Sequence, residues 1–362
     1  MKKIYYIAVV FAILFLAGCG DGIDLPGVNV ETDLNKIPLP DNNVNLEQVE
    51  LKPSTEPMLH EGLHTEEDFQ RIRDKKAAGE EPWVSAYQLL VESQFSQKTA
   101  DTYPTEWIKR GVSGDENYMN AARGATIAYQ QALRWKIEQD DEYAAKAVEN
   151  LNKWVQTCVG VTGNTNLSLA AGLYGYEFAI AGELLRDYEG WDRADFAAFQ
   201  NWLLKVFYPA NDDFLKRHHD TNALHYWANW CLCNIAAKMA IGIVTDRRDI
   251  YNEGIDHLQT GDTNGRLRRA IYHDYAPDYN FAQWQESGRD QGHTLMCVGL
   301  MGVICQLAWS QGDDFFAYDD NLFMRACEYA ACCNYTNETV PYTTYIWQKQ
   351  SQWGYPIPEE QT

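Results

Sequence analysis

The chain has 362 residues, a formal net charge of -21, and a composition that is 46% hydrophobic and 13% aromatic. A charge this negative excludes nucleic-acid binding through the overall electrostatic field. It also means that any anionic substrate must be recognised by local positive groups. The length is sufficient for one large core or two modest domains.

The N-terminus has the features of a secretory signal. Residues 1–18 contain two lysines followed by a long apolar run, which predicts a removed signal peptide rather than a membrane span. The LAGC sequence ending at Cys19 resembles a bacterial lipobox, which implies lipidation at Cys19. We therefore expect a bacterial protein of the periplasm or outer membrane that contacts the membrane only through its lipid. An ordinary signal peptide followed by a chance cysteine is the alternative.

The segment after the cysteine predicts a flexible tether. Residues 19–57 are rich in Pro, Asn, Asp and Gly and have no sustained helical period. No second linker follows. We therefore expect one domain over residues 58–362, held away from the membrane by the tether.

Helical periodicity dominates the domain. Thr65 is a predicted helix cap with acidic residues after it, and Gly79 is a predicted helix end. Longer amphipathic segments are predicted as helices over residues 117–139, 142–158, 167–188, 194–209, 218–245, 292–312 and 322–336. Strand-like alternation is scarce, with its best candidate at 279–284. Short loops between long helices predict an all-α fold of antiparallel helical hairpins, arranged as an (α/α) toroid or an incomplete barrel.

Aromatic and cysteine usage add less specific information. Twelve tryptophans and twenty-two tyrosines fit a carbohydrate cleft, although large helical cores also use aromatic residues. The eight cysteines after Cys19 lie mostly in apolar helical runs, which predicts few or no disulfides. There is no CxxC pair, and the histidines lack HExxH spacing, so we expect neither a metal site nor a cofactor.

The first motif is HHDTNALHYWANW, residues 218–230. On a helix, Asn222, His225 and Asn229 would be spaced i, i+3 and i+7 and would share one face beside Tyr226. Such a polar stripe indicates a binding face. The alternative is a buried histidine whose hydrogen bonds are satisfied, with two structural amides.

The second motif is QWQESGRDQGHT, residues 283–294. Its four ionisable residues, Glu286, Arg289, Asp290 and His293, precede an apolar helix, where substrate contacts often concentrate. The alternative is an Arg289 ion pair with Glu286 or Asp290 that only fixes the helix start. Six of the eight histidines fall within residues 218–293, and the segment 266–281 between the motifs contains three arginines and three tyrosines.

Asn, His, Arg and Tyr together suit β-elimination on a uronic acid. The C5 proton becomes removable only when the neighbouring carboxylate is neutralised by hydrogen-bond donors or cations. A tyrosine or histidine can then take the proton, and a tyrosine can protonate the departing O4. The reaction adds no water and has no obligatory metal.

Both motifs resemble those of the all-helical toroid alginate lyases and related bacterial polysaccharide lyases. The likeness runs from about Leu59 to the end of the chain. The first motif matches at Asn222, His225, Tyr226, Trp227, Asn229 and Trp230. The second matches at Gln283, Glu286, Ser287, Gly288, Arg289, Asp290, Gln291 and His293.

The resemblance implies roles for individual residues. Asn222, His225 and Arg289 would neutralise the carboxylate, and a tyrosine would act as base or acid. Tyr279 is favoured because of its separation from His225, with Tyr226 and Tyr275 as alternatives. His225 itself stays a candidate base. The implied substrate-binding residues are His219, Tyr226, Asn229, Gln283, Glu286 and His293.

The chain also departs from the better-known family pattern. Its Asn and His are three residues apart, so either Asn222 or Asn229 could supply the amide. The chain ends at WGYPIPEEQT without the expected closing helices, which leaves open a truncated C-terminus.

We therefore expect a lipid-anchored lyase acting on alginate or another uronate polymer. A helical-toroid glycoside hydrolase would need two carboxylates flanking the bond, whereas Glu286 and Asp290 share one short segment. A non-catalytic glycan-binding lipoprotein would use the aromatic residues but would not need His225.

Overall fold

The computed structural model describes residues 54–335, 339–351, 354 and 357–362. The predicted signal peptide, Cys19 and the tether up to residue 53 lie outside the described residues. All eight cysteines after Cys19 are free thiols.

The first helix is capped as the sequence predicts. α1 spans Glu66–Ala77, and Thr65 and Asp68 form a reciprocal capping box at its N-terminus. Gly79, just beyond the helix end, has a φ of +69°, a conformation that favours glycine. α2, Trp83–Glu92, was not predicted from the sequence.

Long helical hairpins form most of the molecule. The helices Tyr118–Glu138 and Asp141–Thr157 are joined by residues 139–140, and the Asp140 side chain caps the second helix by accepting a hydrogen bond from the Glu142 N–H at 3.0 Å. The helices after α2 are α3 Tyr118–Glu138, α4 Asp141–Thr157, α5 Leu167–Leu184, α6 Arg193–Val206, α7 Tyr208–Arg217, α8 Ala228–Val244, α9 Arg248–Thr260, α10 Leu267–Ala270, α11 Gln291–Ser310 and α12 Tyr318–Tyr335.

An inner row of helices forms the core. α3, α5, α8 and α11 pack one against the next, and α5 and α8 are buried over almost their whole length. Gly172 permits close approach of α5 and α8, because a Cβ there would lie 2.4 Å from the Cys233 Sγ. The all-α toroid prediction is confirmed, and the described helices form an incomplete ring rather than a closed barrel.

Short two-stranded sheets lie in the connections between helices. β1, Trp107–Arg110, pairs in parallel with β2, Gly160–Gly163. The other pairs are antiparallel: β3 Ile271–Asp274 with β4 Ala282–Trp284, and β5 Tyr345–Trp347 with β6 Glu359–Gln361. The strand expected near 279–284 is β4.

The helix predicted across residues 218–245 is wrong over residues 218–227. His218, His219 and Asp220 have φ values of 51°, 52° and 61°, and this left-handed turn ends α7. The Asn222 side chain then accepts a hydrogen bond from the Leu224 N–H at 3.0 Å, a local bond that competes with helix formation. α8 begins only at Ala228, so Asn222 and His225 do not share a helical face with Asn229.

Candidate active site

The two sequence motifs meet at the N-terminus of α8. The Trp227 side chain does not cap this helix, whose first N–H groups need acceptors. The second motif supplies them: the Gln285 Oε1 accepts from the Ala228 N–H at 3.0 Å, and the Glu286 Oε1 from the Asn229 N–H at 2.8 Å. A carboxylate is also favourable at the positive end of the helix dipole.

Glu286 is the buried centre of this junction. Its side chain is 0% exposed, and its Oε2 pairs with the Arg289 Nη1 at 3.1 Å. Burial raises the pKa of Glu286, although the Asn229 N–H and the Arg289 charge oppose the rise. The Arg289 guanidinium also lies 5.2 Å from the centroid of the Trp227 ring. The Arg289–Glu286 ion pair therefore exists, but it lies at the start of α8 and not at the start of the apolar helix that follows the motif.

His293 is held at the start of α11. Asp290 caps that helix and accepts hydrogen bonds from the His293 N–H at 2.8 Å and from its ring Nδ1 at 2.6 Å. His293 thus contacts the cap of α11, and among the described residues no hydrogen bond links it to the first motif.

Asn222 and His225 are brought together by a partner that the sequence reading missed. The Asn222 backbone N–H and side-chain Nδ2 donate to the Gln350 Oε1 at 2.7 Å and 3.0 Å. The His225 Nδ1 accepts a hydrogen bond from the Gln350 N–H at 2.8 Å. The neutral His225 ring therefore carries its proton on Nε2, where it can donate. Burial lowers the pKa of His225, and the Lys349 charge lowers it further.

The same C-terminal segment covers the start of α8. The Trp347 ring stacks on the Trp227 ring at 4.1 Å between centroids, and its Nε1 donates to the His225 carbonyl at 2.8 Å. The Tyr345 hydroxyl accepts a hydrogen bond from the Gly288 N–H at 3.3 Å. The aromatic residues near the chain end were the only sequence signal for this role.

Tyr275 and Tyr279 have different environments. The Tyr275 hydroxyl donates to the Gln283 Oε1 at 2.5 Å and lies 3.1 Å from the Thr343 Oγ1, and burial raises its pKa. Gln283 is buried and also accepts from the Thr343 N–H at 2.8 Å. Tyr279 is 54% exposed. Among the described residues, no hydrogen bond or ring contact joins the Tyr279 side chain to His225.

His219 and Tyr226 belong to an aromatic cluster beside His225. The His219 Nε2 lies 2.9 Å from the Ser168 Oγ at the start of α5. The Tyr226 ring contacts the rings of His219 at 5.7 Å and His225 at 4.8 Å. Burial raises the pKa of the Tyr226 hydroxyl. The start of α5 and the segment before α8 thus face one another here.

Asn229 is the other candidate amide. Asn229 is buried, and its side-chain Oδ1 has no hydrogen-bond partner among the described residues. Its backbone N–H is used by Glu286. Asn222, which is exposed, is therefore the amide that meets His225 through a shared partner. In the described part of the chain, no group of three His, Cys, Asp or Glu side chains is arranged to hold a metal ion.

Solved structures share this fold at low sequence identity. The alginate lyase A1-III from Sphingomonas species A1 aligns with a TM-score of 0.53 and 13% identity, covering 76% of this chain and 80% of that chain. An alginate lyase from Bacteroides ovatus aligns with a TM-score of 0.54 and 15% identity, covering 74% and 82%. A tyrosine-to-phenylalanine variant of A1-III, complexed with a tetrasaccharide, aligns with a TM-score of 0.53 and 15% identity, covering 76% and 80%.

Sequence comparison identifies the family directly. No curated protein matches this chain. The sequence profile described as alginate lyase matches residues 72–338, which is most of the domain. The chain therefore belongs to the alginate lyase family.

Proposed function

We propose that this protein is a polysaccharide lyase that cleaves alginate or a related uronate polymer by β-elimination. The observation that carries the proposal is the pair of Asn222 donors converging on a single acceptor, the Gln350 Oε1, beside the His225 ring. Converging donors of this kind can neutralise a uronate carboxylate and so make the neighbouring C5 proton removable. The protonated Nε2 of neutral His225 can add a third hydrogen bond.

Local groups also offset the acidity of the chain. The site lies where the N-termini of α5 and α8 meet, as the His219–Ser168 contact and the Asn234 bond to the Ser168 carbonyl at 3.2 Å indicate. The N-terminus of α5 carries partial positive charge, and the Arg289 guanidinium, which pairs with Glu286, lies beside Trp227. An anionic sugar can therefore be attracted locally despite the net charge of -21.

A tyrosine completes the proposed reaction by removing the C5 proton or protonating O4. Tyr279 is the first candidate because of its spacing from His225, and its exposure leaves its hydroxyl accessible. Tyr275 is the second, since its hydroxyl is already oriented by Gln283. For Tyr275 to act as the base, its raised pKa would have to fall when substrate binds.

Hydrolysis is less well supported by the carboxylates of the second motif. Glu286 is buried against the start of α8, and Asp290 caps α11. Both groups are used in holding helix ends, and they share one segment rather than facing each other across a cleft. A retaining or inverting mechanism needs two carboxylates on opposite sides of the bond.

We further propose that the mature protein is lipidated at Cys19 and held in the periplasm or at the outer membrane by residues 19–57. The LAGC sequence and the Pro- and Asn-rich composition support this proposal. Metabolic labelling with a clickable fatty acid tests it. Label should enter the wild type and be absent from Cys19→Ser.

The activity test is ultraviolet absorbance, because elimination alone creates a conjugated double bond. We expect alginate, polyglucuronate or hyaluronan to give a rise with the wild type that His225→Ala abolishes. His60→Ala is the matched control, since His60 is an exposed histidine paired with Asp246. Tyr279→Phe and Tyr275→Phe, assayed together, identify the tyrosine. New reducing ends without absorbance would contradict the lyase proposal and favour hydrolysis; glycan binding with neither signal would favour a binding lipoprotein.

A further inference from the structure

We propose that residues 343–350, the C-terminal strap, close the candidate active site and compete with the substrate carboxylate. This inference rests on the proposed function, because it concerns the regulation of that same site. The strap places the Gln350 Oε1 at 2.7 Å and 3.0 Å from two Asn222 nitrogens, and Asn222 Nδ2 also donates to the Gln348 carbonyl at 3.1 Å.

The Gln350 side chain resembles the group it would exclude. A carboxamide oxygen is a planar sp² acceptor with two lone pairs, as is each oxygen of a carboxylate. The Asn222 donors can serve the Gln350 oxygen or a uronate oxygen in this position, but not both. Binding of substrate through Asn222 therefore requires displacement of Gln350.

The strap occupies His225 at the same time. The Gln350 N–H donates to the His225 Nδ1, so the lone pair of the neutral ring is already used. Trp347 adds a hydrogen bond to the His225 carbonyl. While the strap is closed, His225 cannot accept a proton at Nδ1, and its Nε2 carries the ring proton. One segment thus blocks both an amide donor and a candidate base.

The strap can move without disrupting the helical core. It contributes β5, which pairs with β6 in a two-stranded sheet, and such hairpins are marginally stable without other contacts. Discrete interactions hold it down: Thr343 bonds to Gln283, Tyr345 to Gly288 and Gln285, and Trp347 stacks on Trp227. Tyr345 is the one buried residue among 343–350. Ile346 in its middle is 49% exposed. Elements with few buried contacts open at low free-energy cost.

The kinetic test compares two glutamines of the strap in the full-length chain. Gln350→Ala removes the competing oxygen but keeps the backbone N–H. Gln348→Ala is the matched control, because Gln348 contributes only its backbone carbonyl to Asn222. Two hydrogen bonds to the competitor are lost, so we expect KM for the uronate polymer to fall about tenfold with kcat unchanged in Gln350→Ala. Gln348→Ala should match the wild type.

Hydrogen exchange supplies a readout that does not depend on turnover. A saturated tetrauronate bound to the wild type should speed exchange of the amide hydrogens of residues 343–350. In the ligand-free protein, Gln350→Ala should already exchange faster there than Gln348→Ala.

The outcomes separate the strap from the proposed function. Slower exchange in the strap when tetrauronate binds, or a higher KM in Gln350→Ala, would show that the strap helps to bind substrate. Either result would overturn the inference but would be compatible with the proposed lyase function. Tetrauronate binding by Gln350→Ala but not by the wild type would support the proposal that the strap competes with substrate. Binding by neither protein, with no absorbance change, would overturn the proposed function and the strap together.

Discussion

Glu177 is a buried acid outside the candidate active site. It lies in the middle of α5, where its Oε2 is buried without a hydrogen-bond partner among the described residues, although part of the residue is accessible. Burial raises the pKa of Glu177 to about 8, and a hydrogen bond with Tyr176 opposes the rise. The nearby Tyr129 hydroxyl lies 2.5 Å from the His64 Nε2, and burial lowers the pKa of His64 to about 4. These groups are therefore mostly neutral at pH 7.

The raised pKa of Glu177 predicts stability that declines as pH rises. Its folded pKa of about 8 exceeds the ordinary value of 4.5, so the folded chain binds the proton more tightly. The contribution is fully present below pH 4.5 and is lost towards pH 8. The slope is at most about 1.4 kcal/mol per pH unit, and less where water reaches the side chain.

The substitution Glu177→Gln tests this pH dependence, because glutamine has nearly the same side-chain shape as glutamate but does not titrate. Urea unfolding between about pH 5 and about pH 8 should show a flatter pH dependence of the unfolding free energy in the variant than in the wild type. Comparing the two proteins cancels the titration of other groups. Parallel curves would mean that Glu177 is ionised in the folded protein.

At the scale of elements, the close contact between α5 and α8 depends on a glycine. A Cβ at Gly172 would lie 2.4 Å from the Cys233 Sγ and 2.9 Å from the Cys233 carbonyl carbon, so the backbone of α8 would have to move. We expect Gly172→Ala to lower the unfolding free energy by about 1–3 kcal/mol. Gly302→Ala is the matched control on α11, where the nearest atom to a new Cβ is 3.8 Å away.

The control substitution, Gly302→Ala, should raise the free energy of unfolding. Alanine at Gly302 loses less conformational freedom on folding than glycine does, so stability should rise by about 0.4–1 kcal/mol. Urea unfolding of both variants measures the difference. Equal effects of the two substitutions would show that helix propensity, and not the α5–α8 contact, governs position 172.

The sequence predicts the long helices well because each one carries a sustained apolar period. The boundaries of α3, α4 and α11 agree with the expected segments to within two residues. The periodicity predicts helix over residues 218–227, where the structure has a left-handed turn at 218–220 that hydrophobic periodicity does not encode. The start of α8 is instead set by Glu286, 57 residues away along the chain from the Asn229 N–H that it caps.

The candidate site was only partly predictable for the same reason. The sequence pattern predicts that Asn222 and His225 lie close together, but on a shared helical face that the structure does not contain. The contact that joins them comes from Gln350, 128 residues from Asn222. A local sequence pattern cannot predict a hydrogen-bond partner so far away along the chain. Glu286 and His293 form hydrogen bonds at helix N-termini. That they also bind substrate stays a prediction.

At the scale of the whole molecule, the proposed substrate and the protein have the same sign of charge. A chain with a formal net charge of -21 repels a uronate polymer at distances beyond the active site. The Debye length shrinks from about 30 Å at 0.01 M salt to about 8 Å at 0.15 M, so added salt removes this repulsion first. Contacts of a half-buried charge, such as that of Arg289, are screened much less.

The lyase should therefore bind its polymer better as salt is added at the low end of the range. On the proposed function, we expect KM to fall between about 10 mM and about 150 mM NaCl, with kcat nearly constant. A tetrauronate carries fewer charges than the polymer, so its KM should change less. Absorbance assays on both substrates across the salt series measure this difference. A KM that rises from the lowest salt onward would show instead that Arg289 and the helix N-termini outweigh the net charge even at long range.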